Sequence, residues 1–159
     1  MVEQVQPSAA AIYQTSNRYL RAMIGFTTAV IHTKNVEEVL WLLTDDIVVD
    51  LGFEDCVVYL LDESRGKLVQ KAAYGPKKAG PSEIHDPIEI PLGQGITGRC
   101  ALEQKPILIE DVSKEPSYIV DDAARMSELA VPIISAGRTI GVIDSEHSEP
   151  NFYTSQHLA

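Results

Sequence analysis

Cys56-Val57-Val58-Tyr59-Leu60-Leu61-Asp62-Glu63-Ser64-Arg65-Gly66-Lys67-Leu68-Val69-Gln70-Lys71-Ala72-Ala73-Tyr74 decides the fold. Its first six residues are apolar and rich in β-branched side chains, the composition of a strand. Residues 67–74 read as a second strand. The link from Asp62 to Gly66 is short and carries turn chemistry, so the two strands form an antiparallel hairpin. Leu129–Ile134 and Thr139–Ser145 repeat the device around Ser135-Ala136-Gly137-Arg138.

Between the hairpins, residues 75–86 hold two Pro, two Gly, two Lys and a His, which predicts a long polar loop. Pro87–Leu92 reads as a short strand, Gly95–Glu103 as a short helix and Lys105–Glu110 as another strand. Asp111–Arg125 reads as loop, with a helical turn at 118–125. Upstream, Ile12, Ser16, Tyr19/Leu20, Met23/Ile24, Thr27 and Val30/Ile31 recur at helical spacing, predicting a helix over about 8–32. Its stripe can cover a sheet or pair with a second copy. Asn35 and Glu38 have the spacing of a capping box. The helix they start carries Val36, Val39/Leu40, Leu43, Ile47 and Leu51, and Gly52 stops it. Residues 1–7 read as loose. Phe152–His157 reads as the start of a helix capped by Thr154 or Ser155, which suggests a chain cut from a longer protein. Helices gather at the ends and hairpins fill the middle: an α+β pattern on a mainly antiparallel sheet.

The chain has 159 residues, the size of one domain, with a formal net charge of −10 and 45% hydrophobic residues. Acidity disfavours nucleic acid and a polybasic membrane contact. Two cysteines, Cys56 and Cys100, exclude a disulfide framework and a four-cysteine zinc site. No secretory signal opens the chain, and its apolar runs fall short of the roughly 18 residues of a membrane span. A reduced, cytoplasmic setting is expected.

Gly93-Gln94-Gly95-Ile96-Thr97-Gly98 matches G-x-G-x-x-G between a strand and a helix. Pro106 leaves that helix too short for a parallel crossover, so a tight turn with close helix–sheet packing is the reading. The amides at 95–98 leave room for a small anion. His32, His85, His147 and His157 show no metal-ligand spacing, and no metal site is expected. Cys100 reads as a buried small residue. The acidic run Asp111, Glu115, Asp121, Asp122, Glu128 reads mainly as a solvated loop. Glu128 and Asp144 differ: they sit across the 135–138 hairpin, where they can face a cavity and hold a ligand.

Five stretches, in this order and spacing, resemble the GAF domain family: Ile-Pro-Leu-Gly-Gln-Gly-Ile-Thr-Gly (90–98), Lys-Pro-Ile-Leu-Ile-Glu-Asp-Val (105–112), Ser-Glu-Leu-Ala-Val-Pro-Ile (127–133), Gly-Arg-Thr-Ile-Gly-Val-Ile-Asp-Ser-Glu (137–146) and Asn-Phe-Tyr-Thr (151–154). The resemblance covers about residues 18–159. It implies a five- or six-stranded antiparallel sheet with terminal helices on one face. A pocket on the other is roofed by the 75–86 and 111–126 loops. It assigns residues 16–159 to the domain, with the last helix truncated, and 1–15 to a flexible segment or the start of a long helix. No Asn-Lys-x-Asp signature of cyclic-nucleotide members occurs, and Cys100 has no adjacent His for a bilin. The chain also resembles free methionine-(R)-sulfoxide reductases around 95–98, 116–128 and 137–146, where Glu128 and Asp144 match substrate-holding positions. Thr97 and Asp121 stand where those enzymes need thiols.

The expectation is a non-catalytic sensory module of a bacterial-type signalling protein, such as a two-component histidine kinase or a transcriptional regulator. An unidentified small molecule would bind at Tyr59, Tyr74, Ile96, Thr97, Tyr118, Asp121, Glu128 and Asp144. Tyr59 and Tyr118 would supply apolar walls with a polar tip. The signal would pass through a homodimer of terminal helices to an output module absent from this chain. A ligand-free dimerisation scaffold and a reductase-like enzyme are the alternatives. No cofactor is identified.

Overall fold

The hairpin at residues 56–74 supplies one of the two central strands of the sheet. In the computed structural model, which describes residues 8–158, β1 (Cys56–Asp62) pairs antiparallel with β2 (Lys67–Tyr74). The Asp62 carboxylate accepts from the Ser64 and Arg65 amides, and Gly66 takes φ +62°, which closes the turn. The register shifts between Val58 and Tyr59, so Tyr59 lies opposite Gln70. The second hairpin joins β7 (Ser127–Ser135) and β8 (Arg138–His147) through Ala136 and Gly137, both with positive φ. It also carries a register shift, between Ile133 and Ile134: Ile134 faces Thr139, but Ile133 faces Gly141.

β5 (Glu89–Pro91) and β6 (Ile107–Ile109) form the edges of one six-stranded antiparallel sheet, ordered β5-β2-β1-β8-β7-β6. β5 is shorter than the expected Pro87–Leu92. α4 (Gly95–Glu103) covers one face and ends at Gln104 in a left-handed conformation, ahead of Pro106. Ile96, Cys100 and Ala101 pack there against Val57, Tyr59, Leu68, Ala73, Ile90, Ala130 and Val142. The glycine motif serves this approach. A Cβ on Gly98 would lie 2.5 Å from the Pro91 carbonyl oxygen and 3.2 Å from the Gly93 nitrogen.

Three local expectations are corrected. Residues 75–86 are not plain loop: a 3-10 turn (Gly75–Lys77) leads into a small two-stranded sheet of β3 (Lys78–Gly80) and β4 (Glu83–Ile84). Segment 118–125 forms no helical turn. The turn lies earlier, at Val112–Lys114, because the Asp111 carboxylate caps the Ser113 amide. The helix begun near Phe152 is a 3-10 turn, Ser155–Leu158.

The chain divides into two compact units, at Gly52 and Phe53. In the first, α1 (Ala9–Val30) realises the predicted stripe as a 22-residue helix; the expected looseness of residues 1–7 lies outside the described residues. The Asn35 side chain caps α2 (Val36–Leu42) by accepting from the Glu38 amide at 2.9 Å. Glu38 answers by accepting from the Lys34 amide at 2.8 Å, one residue before the expected partner. A π-helical turn, Leu43–Ile47, interrupts the expected single helix before α3 (Val48–Leu51) and Gly52.

Candidate functional site

Alternation along the two hairpins determines what faces α4. In the register observed, Glu128 of β7 lies opposite Glu146 of β8, and Ala130 opposite Asp144, which also faces Val57 of β1. Val57, Ala130 and Val142 belong to the apolar cluster under α4, so Glu128, Asp144 and Glu146 share that face. They are 3%, 8% and 5% exposed. Three carboxyl groups are thus buried together beside an apolar cluster.

The electrostatics follow from that placement. Burial raises the Asp144 carboxyl well above its ordinary range, and the neighbouring Glu128 charge raises it further. Burial, then Glu146, raises Glu128. Burial, then the Asp144 charge, pushes Glu146 up to about 9, although the Arg125 charge opposes the rise. Asp144 Oδ1 is buried without a hydrogen-bond partner. A buried carboxyl oxygen lacking a donor is costly.

The cations nearby are engaged elsewhere. Lys77, 3% exposed, reaches Asp121 Oδ1 at 2.6 Å and donates to the Asp86 carbonyl at 2.7 Å. Asp121 Oδ2 accepts from Gln70 Nε2, which also donates to the Tyr59 hydroxyl at 2.9 Å. Gln70 Oε1 accepts from the Ile88 amide at 3.0 Å, so both ends of this amide are used. Arg125 donates to Asp122 at 3.0 Å and sits 3.7 Å from Asp55. The Asp55 carboxylate accepts from the Glu146 amide, and burial pushes the Asp55 carboxyl up to about 7. Asp55, Asp122 and Glu146 bring oxygens within 4.8 Å of one another. Arg125 already supplies positive charge there, so this donor set is not assigned to a metal.

Of the expected site residues, Glu128 and Asp144 belong to the acidic trio, and Tyr59 and Asp121 to the network around Gln70 and Lys77. The Tyr118 hydroxyl accepts from the Arg125 amide at 3.0 Å, which places it against Arg125. Ile96 lies in the apolar cluster, and Thr97 is buried on α4, one turn before Cys100 and Ala101. Tyr74 does not join: it follows Ala73, which faces α4, so strand alternation turns it to the other face. Gln70, Lys77, Arg125, Glu146 and Asp55 were not expected. Glu146 was findable, because it lies two residues from Asp144 on the same face of a strand.

The GAF domain profile matches residues 33–159. This chain belongs to the GAF domain family. Among curated relatives, YtsP of Bacillus subtilis is 34% identical over 93 residues, 58% of this GAF chain and 52% of YtsP. The free methionine-R-sulfoxide reductase of Saccharomyces cerevisiae is 43% identical over 56 residues, 35% of this chain and 31% of the enzyme. The GAF chain therefore matches about half the length of one relative and a third of the other. Two solved structures share the fold. The free methionine-R-sulfoxide reductase of Neisseria meningitidis, in complex with its substrate, has a TM-score of 0.75 at 22% identity, covering 96% of this chain and 82% of that one. The GAF domain of an Acinetobacter phosphoenolpyruvate-protein phosphotransferase has a TM-score of 0.76 at 18% identity, covering 88% and 83%. No helix among the described residues is long and apolar enough to cross a membrane.

Proposed function

We propose that this GAF domain is a non-catalytic sensory module whose pocket receives a small molecule bearing a cationic group. The observation that carries the reading is the buried trio Glu128, Asp144 and Glu146, whose Asp144 Oδ1 has no donor. Among the described residues, no Lys or Arg forms an ion pair with any of the three, because Lys77, Arg99 and Arg125 pair with Asp121, Glu115, Asp122 and Asp55. An ammonium or guanidinium group matches such a site in charge and in donors. Methionine sulfoxide, the substrate named for the reductase relatives, carries an ammonium group of this kind.

Turnover is disfavoured by chemistry. Sulfoxide reduction needs an accessible thiolate and a resolving thiol. Both cysteines are buried, and burial pushes the Cys100 thiol up to about 12 and the Cys56 thiol well above its ordinary range. At Asp121, where the resemblance calls for a thiol, the side chain is held by Lys77 and Gln70. For the relay, the exposed Leu20, Met23 and Ile24 of α1 favour pairing with a second copy, through which a pocket event would reach an output module.

Two measurements test the reading. Thermal-shift titration with free methionine sulfoxide and with simple amines should raise the melting temperature. NADPH consumption with thioredoxin and free methionine-(R)-sulfoxide should stay at background. Turnover would establish the reductase instead. Sedimentation showing a monomer at high concentration would sink the relay through paired helices.

A further inference from the structure

We infer that, in the absence of a ligand, Glu128, Asp144 and Glu146 store protons, and that an organic cation binds by taking the place of one of them. The inference rests on the cationic-ligand reading and adds how the charge balances. Three groups at adjacent positions on one sheet face cannot all be ionised beside an apolar cluster without a counter-charge. The surrounding elements supply little. From β1 and the residue before it come Tyr59 and Asp55, a neutral phenol and another acid. From α4 comes Cys100, whose thiol lies near the Asp144 and Glu128 charges. From the 112–126 segment come Glu115, held by Arg99, then Tyr118, Asp121, Asp122 and Arg125. Lys77 arrives after β2 and is committed to Asp121. Arg125 lowers Glu146, but its contacts are with Asp122 and Asp55. Two ionised carboxylates have no donor between them, so neighbouring acids buried this way are relieved by a proton on one of them.

The exchange is balanced. One ammonium group enters with its positive charge, one proton leaves a carboxyl group for the buffer, and the net charge of the pocket is unchanged. Affinity then depends on pH with a definite sign. Where the leaving proton is bound before the cation arrives, each unit of rising pH tightens binding about tenfold, until that group ionises unaided. Because the groups are coupled, the protons belong to the cluster and not to one residue.

The test uses the whole chain in two steps. First, carboxyl carbon-13 NMR of the ligand-free protein should show Glu128, Asp144 and Glu146 titrating above pH 6, with Glu128→Gln and Glu146→Gln each removing one resonance and assigning it. Titration of all three below pH 5 would overturn the inference. Second, calorimetry with methylammonium, putrescine and methionine sulfoxide at pH 6 and 7, in two buffers of different ionisation enthalpy, should report about one proton released and a roughly tenfold tighter Kd at pH 7. Binding without proton release would overturn the inference and leave the ligand reading standing. High titration with no binding by any probe would remove the ligand reading, and the exchange with it.

Discussion

Lys77 and Asp121 form a buried ion pair, and the two side chains depend on each other. Removing one partner leaves the other charge inside the protein, which costs far more than the pair itself contributes. Lys77→Met and Asp121→Asn should each lower stability by about 3 kcal/mol, the low end for buried pairs because Asp121 keeps some contact with water. The double variant Lys77→Met/Asp121→Leu should lose less than the sum of the singles. Urea unfolding of the four proteins measures both results, and simple additivity would mean that the two charges are not coupled. Neither residue of this pair advertised itself in that role. Lys77 stands in Pro76-Lys77-Lys78, which reads as a solvated turn, and its burial depends on the 3-10 turn and small sheet around it. Gln70 was equally silent, since one polar residue in an alternating strand normally faces water. Glu128 and Asp144 were legible because each borders the apolar run of its strand, in segments that are neighbours across the 135–138 hairpin.

At the scale of elements, local chemistry carried most of the information. The two hairpins, the capped α2 and the strand–turn–helix at 90–103 follow from turn residues, caps and periodicity that lie within a few positions of one another. What escaped was set by distant partners. The interruption of the helix at Leu43–Ile47 and the small β3–β4 sheet have no local signature strong enough to read. The close seating of α4 yields a sharp prediction. Gly98→Ala puts a methyl group against the Pro91 carbonyl and the Gly93 nitrogen, backbone atoms that cannot swing away. A loss of about 1–3 kcal/mol is expected, read as a lower denaturation midpoint. Asn35→Ala removes the cap of α2 and should cost about 1 kcal/mol. An equal and negligible effect at both positions would contradict the packing and capping described above.

For the whole molecule, the acidic site makes stability a function of pH. Glu146 titrates at about 9 when folded, against 4.5 as its ordinary value, and Asp55 at about 7 against 3.8. Between those limits the folded protein holds protons that the unfolded chain has released. Stability therefore falls as pH rises, from about pH 4.5 until the folded groups ionise near 9. The slope is about 1.4 kcal/mol per pH unit for each proton. Chemical denaturation at pH 5, 7 and 9 should give successively lower midpoints, and Glu146→Gln should flatten the trend. A midpoint that rises with pH would show that the carboxyl groups are ionised in the folded state.

The register shift between Ile133 and Ile134 has an evolutionary consequence. Above it, β8 supplies one more residue than β7, which is how Glu128 comes to oppose Glu146 and not Ser145. Side chains alternate with a period of two, so a single residue separates a strand whose acids gather from one whose acids scatter. The acidic face is therefore sensitive to counting: substitutions can retune the three acids one at a time, but a one-residue deletion near Ile140 would place Asp144 and Glu146 on the face opposite Glu128. Lineages that keep the pocket must keep the length of this hairpin, whatever happens to the residues in it.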